Sequence, residues 1–151
     1  MKKYSKLYNI SLKLSVISTA ICSGILAVLL NDIIASYQLE GTQEGLMSSM
    51  ISLGALTSLF MAILLQGYFK KAHIIIFSGL IAAVTIIIQG ISMPFSMFLL
   101  ACIMMGFGNG GADSYQSSFL ADLNKEDTPR HMGAMHGIFG IGGVLTPIIF
   151  N

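Results

Sequence analysis

Five apolar stretches dominate this sequence, and each is long enough to cross a lipid bilayer as a helix. They occupy residues 14–36, 45–65, 74–91, 95–121 and 132–150. A transmembrane helix needs about 20 predominantly apolar residues, and it satisfies its backbone hydrogen bonds internally. The sequence therefore predicts an all-α, polytopic membrane protein with about five transmembrane helices, forming a single transmembrane region over residues 1–151.

The composition excludes most other classes of protein. Charged residues make up 10% of the chain, against about 25% in a soluble domain. The net charge of +1 offers no basic patch for nucleic acid. Cys22 and Cys102 both lie within apolar stretches, so we expect buried thiols with no disulfide framework and no metal site. Nothing in the sequence implies a cofactor.

All eight basic residues fall on one side of the predicted topology. They precede the first stretch or lie between the second and third or the fourth and fifth, at Lys2, Lys3, Lys6, Lys13, Lys70, Lys71, Lys125 and Arg130. Basic residues concentrate in cytoplasmic loops. We therefore predict a cytoplasmic N-terminus in the inner or plasma membrane. The first stretch is too long for a signal peptide and no cleavage site follows it, so we expect it to be retained.

Two carboxylates, Asp32 and Asp113, lie inside apolar stretches. A charged Asp at the centre of a membrane helix costs roughly 2.5–3.5 kcal/mol, so such residues normally face a cavity or a partner. Asp32 lies toward the outer end of the first stretch, where an interfacial position accounts for it equally well. Asp113 lies nine residues before Asp122, about 13 Å inside the cytoplasmic boundary at 1.5 Å per residue. We interpret Asp113 as part of a proton or solute pathway.

A polar stripe runs along the fourth stretch. Asn109, Asp113, Gln116 and Ser117 recur at intervals that place them on one helical face. The alternative to a solute pathway is a hydrogen-bonded seam between two helices. His136 lies about 9 Å inside the same boundary, so we expect it at a similar depth to Asp113. It either pairs with Asp113, bonds a backbone carbonyl, or only lines a cavity.

Glycine pairs predict close helix packing. Gly106 and Gly110 form a GxxxG motif, as do Gly133 and Gly137, and small residues at this spacing let backbones approach. A GxGxxG match at 106–111 lies inside a membrane stretch rather than after a strand, so it predicts no dinucleotide site. The same run is similar to the GxGD box of intramembrane aspartyl proteases, but Asn109 stands where the aspartate is needed. We therefore predict no enzyme activity.

Two stretches resemble a known transporter family. The run GFGNGGADSYQS, from Gly106 to Ser117, resembles the fourth span of the fucose-permease-like sugar-transporter branch of the major facilitator superfamily, with Asp113 at the acidic position. The run from Met132 to Pro147 resembles the fifth span of the same branch. Its matching residues are His136, Phe139, Gly140, Gly142 and Pro147.

The loop between the second and third stretches resembles the gating motif of the same family in a degenerate form. Lys70 and Lys71 fit its basic positions, whereas Gln66 and Gly67 replace its Asp and Arg. In the family, this motif locks an inward gate by charge pairing. The resemblance therefore implies a gating loop with its acidic member lost.

The resemblance implies that the chain is a fragment of a secondary active transporter, an incomplete N-terminal half of the fold. Such proteins work by alternating access, and the resemblance implies protons and a small polar solute, such as a sugar, as partners. The implied roles are proton or hydroxyl acceptor for Asp113, partner for His136, hydrogen-bond contacts for Asn109 and Gln116, and a lesser coupling role for Asp32.

The family fold has twelve spans in two halves, and this sequence provides five. We therefore expect activity in the lipid bilayer to need the missing C-terminal helices or a partner chain. The chain is then a truncated gene product, an incomplete sequence or a small protein that assembles with others. The alternative function is that of a small, non-transporting accessory or scaffold subunit.

Overall fold

The computed structural model describes residues 2–65 and 67–150, with side chains from Leu7 onward. This part of the chain contains six helices and no strand: α1 (Lys2–Val28), α2 (Leu30–Tyr37), α3 (Gly41–Leu64), α4 (Lys71–Gln89), α5 (Phe95–Leu123) and α6 (Thr128–Phe150). Every helix except α2 is long and apolar enough to span a membrane. The predicted all-α, polytopic fold is confirmed, while its orientation stays a prediction.

The first predicted span, 14–36, is two helices rather than one. α1 ends at Val28 and α2 begins at Leu30. The short helix α2 is amphipathic, which favours laying one face on the bundle. Asn31 and Asp32 are exposed, whereas the opposite face packs on a core cluster around Phe98 through Leu30, Ile33, Ile34 and Tyr37.

Besides α1, which begins at Lys2 rather than at residue 14, three helices begin earlier than the apolar stretches predict. α3 begins at Gly41, α4 at Lys71 and α6 at Thr128, whereas the stretches begin at 45, 74 and 132. The start of α3 shows why. The backbone N–H of Glu40 donates to Oε1 of Gln43 at 3.0 Å in a capping box, which satisfies a free donor at the helix end. Polar residues thus extend these helices beyond the apolar segment.

α5 lies at the centre of the bundle and contacts α1, α3, α4 and α6. Two of its glycines provide the room for this. A Cβ atom at Gly106 would overlap the carbonyl group of Ile51 in α3. A Cβ atom at Gly108 would lie 2.8 Å from the carbonyl oxygen of Ser78 in α4. The backbones of α3 and α4 therefore contact opposite sides of α5 directly, as small residues permit in membrane helices.

α6 packs on α1 through Gly142 rather than through the predicted glycine pair. A Cβ atom at Gly142 would lie 2.6 Å from the Cβ of Ala20. In contrast, Gly133 and Gly137 are exposed, and a Cβ atom at either would meet nothing within 4 Å. The structure therefore differs from the prediction at these two positions, because α6 turns the face carrying Gly142 and Thr146 toward α1.

Candidate functional site

An open cavity of about 310 Å³ lies between α1, α5 and α6. Its size is at the lower end of the range of small-molecule sites, which begins at about 300 Å³. Polar side chains form much of its wall, unlike the walls of two larger cavities of this structure, which are almost wholly apolar. Its lining residues are Thr19, Ser23, Asn109, Gly110, Asp113, His136 and Phe139.

Asn109 and Asp113 are the contribution of α5 to this cavity. They lie one helical turn apart, so both side chains leave the helix on the same face. The Oδ1 atom of Asn109 is buried and has no hydrogen-bond partner among the described residues. Asp113 is exposed and forms no ion pair with them. Because buried polar atoms normally have partners, the pair offers acceptors to donors of a bound molecule.

His136 and Phe139 form the wall contributed by α6. His136 is exposed, and Phe139 is half-buried. The structure therefore brings His136 and Asp113 to one cavity, from two different helices. No hydrogen bond joins the two side chains within the described parts of the chain. Of the three alternatives that the sequence left open for His136, its position in this structure matches the third, in which it lines the cavity.

Sequence reasoning missed the residues that α1 contributes, Thr19 and Ser23. Each hydroxyl donates to a backbone carbonyl one turn earlier, at 3.0 Å for Thr19 and 2.9 Å for Ser23. The Ser23 hydroxyl keeps its capacity to accept a hydrogen bond, whereas Oγ1 of Thr19 already accepts one from Gln116. A signal exists in the sequence, because Ser15, Thr19 and Ser23 recur every fourth residue on one face. This spacing does not indicate which neighbouring helix the face contacts.

Gln116 belongs to a helix seam, not to the cavity wall. Its side chain is fully buried. Its Nε2 atom donates to Oγ of Ser15 at 2.8 Å and to Oγ1 of Thr19 at 3.0 Å. The predicted polar stripe therefore divides between two functions: Asn109 and Asp113 line the cavity, while Gln116 holds α5 against α1.

Replacing Gln116 by leucine should destabilise the bundle modestly. Hydrogen bonds between membrane helices contribute about 0.6 kcal/mol each on average, so the loss of two should lower the free energy of unfolding by about 1 kcal/mol. Unfolding in detergent by added dodecyl sulfate, followed by far-ultraviolet circular dichroism, measures this loss.

Gln89→Leu is the matched control, since Gln89 makes only a 3.6 Å contact with Sγ of Cys102. An equal or larger loss of stability in Gln89→Leu than in Gln116→Leu would contradict a stabilising role for the seam.

Asp32 lies apart from the cavity. It is in the first turn of α2 and exposed, and it does not line the cavity between α1, α5 and α6. The break at Leu29 separates it from the helix that carries Thr19 and Ser23. Its position corresponds to the interfacial alternative raised by the sequence.

A charge pair that sequence reasoning missed lies next to the connector between α3 and α4. Nζ of Lys71 lies 2.7 Å from Oδ2 of Asp122 and donates to Oγ of Ser118 at 2.6 Å. The pair joins the start of α4 to the end of α5. Lys70 is exposed, and Gly67 has a φ of 89°, a conformation that glycine adopts readily. Gln66, the fourth predicted residue of the degenerate gating loop, lies outside the described residues.

The fold and the cavity together define a class of protein: a multi-pass membrane protein that presents a polar cavity between its helices. The sequence model of the Major Facilitator Superfamily matches residues 12–150. The chain belongs to this superfamily, whose members are transporters rather than enzymes. Neither curated proteins nor solved structures gave a significant match. The resemblance seen in the sequence is confirmed for the superfamily, while the sugar-transporter branch stays a prediction.

Proposed function

We propose that the chain forms one wall of the solute pathway of a proton-coupled transporter for a small polar solute, with a sugar as the leading candidate. The observation that carries the proposal is the cavity in which Asn109, Asp113 and His136 meet. Intramembrane ionisable residues that face a cavity mark ion and solute pathways. Membership of a transporter superfamily supports the same function.

The chemistry of the cavity favours a solute rich in hydroxyl groups. The Asp113 carboxylate and Asn109 Oδ1 accept hydrogen bonds, and sugar hydroxyls donate them. Phe139 offers an apolar ring surface next to these acceptors, which suits the C–H face of a sugar ring. In this proposal, Asp113 accepts either a proton or a sugar hydroxyl, His136 shares the proton, and Asn109 holds the solute.

Alternating access needs a second group of helices that moves against the first around the solute. In the proposal, that group comes from further helices of the same protein or from a partner chain. The exposed face of α6 that carries Gly133 and Gly137 supports this requirement, because small residues let another helix approach closely.

Uptake by the assembled transporter tests the proposed function. The chain is expressed together with the further helices or the partner chain that the proposal requires, in host cells that take up none of the tested solutes. A panel of radiolabelled hexoses, pentoses and disaccharides is then offered with an inward proton gradient. We expect accumulation of at least one sugar and its loss when a protonophore collapses the gradient. Accumulation of no sugar, or accumulation that survives the protonophore, would contradict the sugar or the proton coupling respectively.

A second candidate function is a non-transporting accessory subunit. The same exposed glycines of α6 favour it, since a face of this kind also suits a helix of a different membrane protein. This alternative predicts that the chain co-purifies stably with a second membrane protein. It also predicts that Asp113→Asn does not change the amount of this complex. Transport that depends on Asp113 would exclude it.

A further inference from the structure

A second cavity, of about 480 Å³, lies between α3 and α4 over the surface of α5. α5 holds the two helices apart: Gly110 lies against Ala55 of α3, and Gly111 lies against Ser78 of α4. The volume falls within the range of about 300–1,000 Å³ that is usual for small-ligand sites. This cavity shares no lining residue with the polar cavity between α1, α5 and α6.

The walls of the second cavity are almost wholly apolar, with Met61, Phe77 and Phe107 among them. Three hydroxyl groups line it, those of Ser58, Ser78 and Tyr115, and two of them already have partners. Ser58 Oγ donates to the carbonyl of Ala55 at 2.7 Å, and the Tyr115 hydroxyl donates to the carbonyl of Ala62 at 3.0 Å. An occupant of this space is therefore apolar over most of its length, because an unpaired polar group would be costly there.

One end of the same cavity lies next to a basic residue. Phe69 and His73 line that end, and Lys70, which is not itself a lining residue, lies between them in the sequence, at the N-cap of α4. Lys70 is exposed and forms no ion pair with any described residue. The neighbouring Lys71 is paired with Asp122, so no described carboxylate compensates Lys70. The apolar cavity thus ends beside Lys70, whose charge no described carboxylate compensates.

We propose that this cavity binds an anionic phospholipid, with an acyl chain between α3 and α4 and the phosphate over Lys70 and His73. The charge of Lys70 is complementary to an anionic headgroup, and the apolar walls are complementary to an acyl chain. Basic pockets between membrane helices on the cytoplasmic side bind such headgroups. The predicted orientation places this end of the cavity at the cytoplasmic leaflet, where anionic lipids reside. This inference does not depend on the proposed transport function.

Native mass spectrometry of the purified chain tests the proposal. The chain is held in micelles of a mild detergent with equal amounts of dioleoyl phosphatidylglycerol and dioleoyl phosphatidylcholine. We expect the wild type to retain phosphatidylglycerol in preference. The double variant Lys70→Gln with His73→Gln should lose this retention by about fivefold or more, the scale set by one basic group at an anionic surface. Lys125→Gln, which removes an exposed charge from the α5–α6 connector, should bind like the wild type.

A second pair of variants tests whether the acyl chain lies in the cavity. Ala62→Phe places a ring in the cavity wall, whereas Ala83→Phe places the same ring on an exposed position of α4 outside it. We expect weaker lipid retention in Ala62→Phe alone, with equal helical circular dichroism in both variants as the check on folding.

Three results would overturn the proposal. They are equal retention of the two lipids by the wild type, equal retention by the double variant and Lys125→Gln, and undiminished retention by Ala62→Phe. A fourth result, a second polypeptide found in place of the lipid, would also overturn the proposal, since it would assign the cavity to a protein partner.

Discussion

Replacing Asp113 by asparagine should reduce proton-driven solute accumulation in the assembled transporter to the level of de-energised cells. Asparagine keeps the size of the side chain and its carbonyl acceptor, but it carries neither a charge nor an exchangeable proton at the carboxyl. Asp113 is the only carboxylate among the residues that line the polar cavity. The measurement is the ratio of internal to external radiolabelled solute under an imposed pH gradient.

Asp32→Asn is the matched control, because it makes the same chemical change at an exposed carboxylate of α2 outside the cavity. We expect it to accumulate solute like the wild type at equal amounts of protein in the membrane. Wild-type accumulation in Asp113→Asn would remove Asp113 from the mechanism. An equal loss in both variants would show that the effect is not specific to the cavity.

Replacing Gly106 by alanine should destabilise the bundle by about 1–3 kcal/mol, the usual cost of forcing extra atoms into a packed interior. The new methyl group would overlap the backbone carbonyl of Ile51, and α3 has to move away from α5 because a backbone group has no rotamer to change. Unfolding in detergent by added dodecyl sulfate measures the loss of free energy.

Gly133→Ala is the control for this prediction, and the two changes should have opposite signs. The methyl group at Gly133 meets nothing within 4 Å, so only the higher helix propensity of alanine remains, worth about 0.5–1 kcal/mol in a helix interior. We therefore expect Gly133→Ala to leave the bundle unchanged or slightly more stable. Equal destabilisation by both alanines would contradict the assignment of close packing to Gly106 and not to Gly133.

The number of membrane helices and their approximate positions were predictable from the sequence, since apolar length is a signal carried along the chain itself. The ends of these helices were less so. The apolar stretches place the start of α3 at residue 45, four residues too late, because the capping box of Glu40 and Gln43 begins this helix among polar residues. The first stretch also joins α1 and α2 into one span, since the break at Leu29 lies within an unbroken run of apolar residues.

The candidate site was predictable in part. Asn109, Asp113 and His136 were chosen from the sequence because polar groups within membrane helices are costly, and the structure places all three around one cavity. Thr19 and Ser23 were missed, since a hydroxyl can bond its own helix backbone and is tolerated in any membrane span. The ion pair of Asp122 was also missed, because its partner Lys71 lies far away in the sequence.

Which segments of this protein are membrane helices follows from its apolar residues, because lipid leaves backbone groups no partner outside their own helix. The role of each polar or small side chain depends instead on how the helices pack. Asn109 and Gln116 lie two turns apart on nearly the same face of α5, yet one lines a cavity and the other bonds α1. The difference arises because α1 contacts α5 at Gln116 and is separated from it by the cavity at Asn109. Helical periodicity gives the direction of a side chain but not the position of the neighbouring helix.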